Sequence, residues 1–363
     1  MAEHQGKILF IVPYPFAAAP SQRFRYEQYL HLLTENGYSY EISPFYDQKT
    51  WKVLYQKGNL INKITGLLKG FLKRWALLFK IHHFDQVFIH RESSPAGPSV
   101  IPWLIRFVFC KRLIFDFDDA IWLPNSSKSN RSFRFLKMPG NALKLMKWSN
   151  VNACGNEFLR QKALQYNSNA ILIPTTIDTE RSHDRETDHP LRGKLVIGWT
   201  GSHSTVDYLQ QILPVIKELE KDYDFEFRVI SDREPPFKIA SLNYIKWKKE
   251  SEIEDLEAIN IGLMPLPDDQ WAEGKCGLKA LQYMALGIPV LLTPLGVNRE
   301  IIIDGIHGYF CVSADDWKKR LVSLLEDRLL LRKLGSVTRQ RIESAYSVNA
   351  NASKFLLLFA LQR

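Results

Sequence analysis

The sequence predicts an α/β protein built on two doubly wound parallel sheets. Short apolar runs recur along the chain and alternate with stretches whose apolar residues repeat every three or four positions. The chain has 363 residues, more than one hydrophobic core commonly organises. A polar, aperiodic stretch at 174–194 divides it near the middle and reads as an interdomain linker. The expected organisation is therefore a domain over 1–178, a second over 179–345, and a terminal helix over 346–363.

Composition bounds the function. Hydrophobic content of 45% and charged content of 24% are those of a soluble globular protein. No apolar run reaches the ~18 residues that a membrane-spanning helix needs. M-A-E-H-Q-G-K leads straight into an apolar run, unlike a signal peptide, so a cytoplasmic protein is expected. Cys110, Cys154, Cys276 and Cys311 are scattered, which suits a reducing compartment and opposes a disulfide framework or a structural zinc. The net charge of +9 is uneven: residues 1–180 hold 23 Lys+Arg against 13 Asp+Glu. That excess points to an anionic partner for the first half. It lies on an amphipathic stretch and not on a recognisable reading module, which disfavours nucleic acid.

The first strand is Lys7 to Val12, and Pro13, Pro15 and Pro20 force a turn after it. Ser21 is the expected cap of a helix over Gln22 to Asn36. Arg23 and Arg25 then fall in its first turn, at a strand's C-terminal end, where open α/β sheets bind ligands. Residues 49–84 carry eight Lys/Arg and no acid, with Leu60, Ile61, Ile64, Leu67, Leu68, Phe71, Leu72, Trp75, Leu78 and Phe79 at helical spacing. A basic amphipathic helix over 52–80 with a tryptophan suits an anionic membrane surface, with Lys63, Lys69, Lys73 and Arg74 toward the head groups. The alternative is a stripe packed on the protein's own core. Gln86 to His90 and Arg112 to Phe117 are strands. His90, Arg91 and Glu92 open the exit loop of one, and Asp116, Asp118 and Asp119 end the other. Carboxylates so placed either bind a divalent metal or pair with Arg91 or Arg23. Val151 to Cys154 and Ala170 to Pro174 complete this half.

Lys194 to Trp199 restarts the strand pattern, followed by T-G-S-H-S-T and a helical stripe from Leu209 to Leu219. Gly201 permits close backbone approach, and Ser202, Ser204 and Thr205 offer hydroxyls to a phosphate or sugar. Strands follow at Phe225–Ile230, Tyr244–Trp247, Asn260–Met264, Ile288–Thr293 and Tyr309–Val312. The densest signal is W-A-E-G-K-C-G-L-K-A-L-Q-Y-M-A-L-G-I-P-V-L-L-T-P-L-G, Trp271 to Gly296. Gly274 and Gly277 flank Lys275 before a helix that Gly287 and Pro289 end. A loop that opens a helix offers unpaired N–H groups to an anion, and Lys275 and Lys279 add positive charge.

Y-M-A-L-G-I-P-V-L and G-V-N-R-E-I-I-I-D-G-I-H-G-Y resemble the donor-binding segment of the retaining, family-4 (group 1) glycosyltransferases of GT-B fold. The two acidic positions of that family's Glu-x7-Glu motif fall here on Gly274 and Gln282. The resemblance implies two Rossmann-like domains facing each other across a cleft and a nucleotide-sugar donor held mainly by the second. It implies Lys275, Lys279, Asp118 and Asp119 as catalytic groups. Gly201, Ser202, Thr205, Gly274, Gly277, Leu278, Gln282 and Glu300 become donor contacts, and Ser21, Arg23, Arg25, His90, Arg91 and Glu92 line the acceptor or phosphate side. It further implies no metal and no cofactor; a lipid-linked or glycan acceptor in surface polysaccharide synthesis is expected, and the basic helix places the protein peripherally on the inner face of the membrane. The alternatives are a non-catalytic membrane-associated scaffold of the same fold and a nucleotide-sugar epimerase.

Overall fold

Among the described residues, twelve strands, all paired in parallel, form two six-stranded sheets. The structure is a computed structural model that describes residues 5–54, 56, 58–123, 138–187, 189 and 192–360. The reading of residues 1–4 as no signal peptide lies outside these, as do Lys57 and residues 361–363. Two compact units result: Met1–Thr175 with Asn351–Arg363, and Thr176–Ala350.

The first sheet takes β1 (Gly6–Val12), β2 (Tyr38–Pro44), β3 (Gln86–His90), β4 (Arg112–Phe117), β5 (Val151–Cys154) and β6 (Ala170–Leu172), in the order β2-β1-β3-β4-β5-β6. β1, β3 and β4 are nearly all buried, as strands covered on both faces must be. β2 has no counterpart among the expected strands. It is an edge strand, half exposed and polar, so it carries no continuous apolar run. The chain's last described helix, Val348–Leu357, packs on this unit: Phe355 stacks on Tyr29 at 4.2 Å and Phe359 lies 5.9 Å from Phe88.

Two helix expectations change in this unit. The 22–36 helix is broken into Pro20–Arg23, a turn at Glu27–Tyr29 and Leu30–Glu35, and Ala19 stands at the first cap in place of Ser21. The break follows from Gln22 and Glu27, whose side chains turn back to bond Tyr14 and Ala17 of the proline loop. The basic stretch forms a short helix, Gln48–Leu54, and then one long helix, Leu60–Leu78, whose apolar stripe is divided between a half-buried side and an exposed one. Gly66, Gly70, Arg74 and Leu77 face inward. A Cβ on Gly66 would run into Thr50, and one on Gly70 into Phe45, so the helix lies against its neighbours through glycines. Arg74, expected among the membrane-facing cations, is fully buried. It donates to the carbonyls of Val12, Ser43 and Ser93, tying the helix to the strand ends. Leu67, Phe71 and Leu78 are half-buried, whereas Ile61 (81% exposed), Leu72 (69%) and Phe79 (84%) stand in solvent with Leu68 and Trp75.

The second sheet takes β7 (Leu195–Gly201), β8 (Phe225–Ser231), β9 (Leu242–Lys246), β10 (Ile261–Met264), β11 (Val290–Leu292) and β12 (Gly308–Phe310), in the order β12-β11-β10-β7-β8-β9. Its core joins Ile197, Trp199, Phe227, Leu263 and Leu291 of the strands to Ile212, Ile216 and Leu219 behind β7 and to Trp317 and Leu321. The 176–187 stretch, expected as linker, is bound to this unit. Thr187 donates to the carbonyls of Leu286 and Glu257, and Arg339 donates to those of Thr179, His183 and Arg185. Its polarity serves those bonds. Among the described residues no helix is long and apolar enough to cross a membrane.

Candidate functional site

In an open parallel sheet, ligands sit outside the carboxyl ends of the strands where the strand order reverses. In the second unit that point lies between β7 and β10, which pair while their successors run to opposite sides. The stretches that leave these two strands are the Gly201–Thr205 loop and the segment leading to Lys275. The helix Leu278–Ala285 then comes close because Gly262 on β10 has no side chain: a Cβ there would meet the ring of Tyr283 at 2.5 Å. Tyr283 in turn accepts a hydrogen bond from the Thr200 amide at 2.7 Å, fixing the helix to the end of β7. Burial holds its phenol protonated.

Lys279 lies one turn before Tyr283 on the same helix face. Its Nζ sits 4.4 Å from the centroid of the fully buried Trp199 ring. Among the described residues no carboxylate lies within ion-pair distance of it. Burial, with the nearby charge of Lys275 adding to it, pushes the ammonium down to about 7. Lys275 extends over Trp271, 5.2 Å from that centroid. Gln282, three residues beyond Lys279, is 4% exposed, and its Nε2 has no hydrogen-bond partner among the described residues. Gly277 caps the helix at φ 71°, and a Cβ there would collide with Ile301. The free N–H groups of the opening turn and two lysines thus meet at one helix start, an arrangement that stabilises an anion.

The other expected donor residues are placed as follows. Gly274 ends the short helix Gln270–Glu273, and Leu278 is the first residue of the next. Gly201 closes β7. Ser202 bonds Ser204 at 2.7 Å, and the Thr205 hydroxyl donates to the Ser202 carbonyl at 3.2 Å. Their hydroxyls are partly used within the loop. Glu300 is exposed on the helix Asn298–Ile301, and its carbonyl accepts from Arg341 at 2.8 Å. One residue here escapes the sequence reading. His203 is clamped by Asp232, which takes its amide at 2.6 Å and its Nδ1 at 2.6 Å, pinning the loop to the end of β8. Only the G-S-H-S pattern hints at it; Asp232 is distant in sequence.

In the first unit the reversal falls between β1 and β3. Asp116 at the end of β4 is buried between Arg25, with which it forms an ion pair, and His90 Nδ1 at 2.7 Å. Burial alone would raise its carboxyl; Arg25 and His90 outweigh that and hold it below the ordinary range. Arg25 also donates to the Ile173 carbonyl and is 2% exposed, so it is committed to the protein and not presented to a ligand, against the expectation from sequence. Arg91, at φ 60°, pairs with Asp119 at 2.6 Å and Asp118 at 3.5 Å. Burial raises Asp118, and Asp119 adds to it against the pull of Arg91. Of the two options for the acidic cluster, the structure displays arginine pairing. Among the described residues no group of three His, Cys, Asp or Glu is disposed to hold a metal. Arg23 lies over the Phe24 ring at 5.1 Å, Ser21 sits within the helix Pro20–Arg23, and the Glu92 amide bonds the His90 carbonyl at 2.7 Å.

A doubly wound sheet with a cationic loop at its switch point is the build of a domain that binds a phosphorylated ligand. Residues 194–327 match the family model of the glycosyl transferases group 1. No curated protein matches the chain. Among solved structures, HepE of Anabaena in complex with UDP and glucose is similar at 12% identity and a TM-score of 0.65, over 98% of this chain and 100% of that one. Sucrose-phosphate synthase from Thermosynechococcus elongatus is similar at 11% identity and 0.68, over 97% and 98%. A glycosyltransferase from Rickettsia africae is similar at 14% identity and 0.68, over 97% of each. The fold is that of the GT-B glycosyltransferases.

Proposed function

We propose that the chain transfers a glycosyl group, with retention, from a nucleotide-sugar donor to a lipid-linked or glycan acceptor in surface polysaccharide synthesis. The observation that carries this reading is Lys279: a half-buried lysine at a helix start, over an indole, with no carboxylate partner among the described residues. Burial of that kind is costly unless a ligand supplies the missing negative charge. The similarity to HepE, whose structure holds UDP, agrees with a nucleoside diphosphate as that ligand.

In this reading the donor's diphosphate lies against Lys275, Lys279 and the amides that open the Leu278–Ala285 helix. As the glycosyl bond breaks, charge builds on the leaving phosphate oxygens, and donors fixed beforehand stabilise it without reorganising. Binding returns to Lys279 the proton that burial favours losing. Gln282, with donor and acceptor atoms and no charge, serves the ribose hydroxyls. Arg91, Asp118 and Asp119 set the acceptor side without a metal or cofactor. The protein works peripherally on the inner face of an anionic membrane, through the Leu60–Leu78 helix, on a lipid-borne acceptor. A non-catalytic scaffold would have no use for an ammonium kept at such cost.

Thermal-shift screening against UDP-, GDP- and ADP-sugars tests the donor. One series should stabilise the protein, and Lys279→Ala should abolish that shift. No stabilisation by any of the three would reject the reading.

A further inference from the structure

The Leu60–Leu78 helix turns two glycines, Arg74 and Leu77 inward and leaves six of its large apolar residues exposed, more than a helix that serves a core leaves. Ile61, Ile64, Leu68, Leu72, Trp75 and Phe79 fall on one outer face by their spacing of three and four. A second segment of the same unit behaves alike. The helix Val100–Trp103 and the wider turn Leu104–Val108 bury Ile101 and Ile105 and leave Trp103, Phe107, Val108 and Phe109 exposed. The two segments are neighbours: Val100–Trp103 packs on the long helix, and Lys111 donates to the carbonyl of His82, just past that helix's end, at 3.3 Å. Trp103 and Phe107 sit 6.0 Å apart, and Phe107 rests edge-on against Trp148. These rings are braced and exposed.

We propose that the exposed rim of residues 103–109 is a second membrane-inserting element, which enters the headgroup–acyl boundary of an anionic bilayer beside the Leu60–Leu78 helix. Charge selects this occupant. No Asp or Glu occurs from Ser93 to Phe115, while Arg106 and Lys111 lie in and just after the rim; past Asp85 and Glu92, this is a second acid-free basic stretch after that of 49–84. Apolar area gives the depth of insertion and basic side chains the attraction to acidic lipid, with each Lys or Arg near such a surface worth about 1 kcal/mol. Tryptophan and phenylalanine are suited to that boundary. Two contacts also fix the unit's orientation, where a single helix would let it roll.

The inference rests on the membrane reading of the long helix, and the test separates the two. Cosedimentation with phosphatidylglycerol–phosphatidylcholine vesicles would compare the wild type with Trp103→Ser/Phe107→Ser/Phe109→Ser, with Val108→Trp, and with Lys63→Gln/Lys69→Gln/Lys80→Gln. The serine variant should partition about tenfold less while melting as the wild type does, and Val108→Trp should partition more. The glutamine variant should lose the salt-sensitive part of binding. If the serine and tryptophan variants bind as the wild type does while the glutamine variant does not, the rim proposal falls and the helix reading stands. If the wild type binds no acidic vesicle at low salt, both fall. A dimer in sedimentation velocity without lipid, dissolved by the serine variant, would show that a second copy covers the rim, and would overturn the proposal.

Discussion

At the end of the first sheet, Asp116 meets Arg25, and Asp118 and Asp119 meet Arg91; at the end of the second, Lys279 has an indole beneath it and, among the described residues, no carboxylate beside it. Both places lie at the carboxyl ends of parallel strands, and both hold charge partly away from water. The difference is whether the protein completes the pair itself. Where it does, the charges fix loop geometry; where it leaves one cation without its counter-ion, the proposed donor diphosphate would complete the pair. The two ends should therefore respond to mutation in different ways, one through stability and the other through donor binding.

The largest effect is expected at the completed pair. Asp116→Ala leaves the Arg25 guanidinium buried without its anion, which costs about 3–5 kcal/mol. Urea unfolding should show that loss, and a change below about 1 kcal/mol would mean that Arg25 finds water. Lys279→Ala should act oppositely. Donor turnover, as kcat/KM, should fall about 100-fold, or ~2.7 kcal/mol of transition-state stabilisation. Stability should not fall with it. A lysine whose folded value is about 7 costs stability in full below that pH, and the cost is relieved as pH rises from 7 toward the ordinary lysine value. Lys279→Met should therefore melt higher than the wild type below pH 7, and the advantage should shrink above it. Lys275→Ala, removing the outer charge, should cost about tenfold in turnover, ~1.4 kcal/mol. The smallest effect is expected from chelation: with Asp118 and Asp119 held by Arg91, activity in excess EDTA should equal that without it. Loss restored by Mg²⁺ or Mn²⁺ would turn those carboxylates into a metal site.

Much of the framework can be read from the sequence, because parallel strands buried on both faces leave unbroken apolar runs. Gln86–His90, Arg112–Phe117 and Val151–Cys154 match the expected spans. β2 escapes for the same reason, since an edge strand with Ser39 and Glu41 has no such run. The site is readable where its signal is local: glycines and lysines around a helix start. What stays hidden depends on partners far along the chain. Arg25 cannot be told from Arg23 without Asp116, and His203 has no visible role without Asp232. Nor does periodicity say which face of the Leu60–Leu78 helix turns inward. Glycine contacts with Thr50 and Phe45 decide that.

If Lys279 awaits the donor's diphosphate, binding must be linked to proton uptake. UDP would be titrated calorimetrically at about pH 8 in two buffers of different ionisation enthalpy. At that pH the buried lysine is mostly neutral, and pairing with diphosphate restores its charge. The wild type should take up about one proton per UDP bound, and Lys279→Met none. Tight UDP binding with the same heat in both buffers would contradict it.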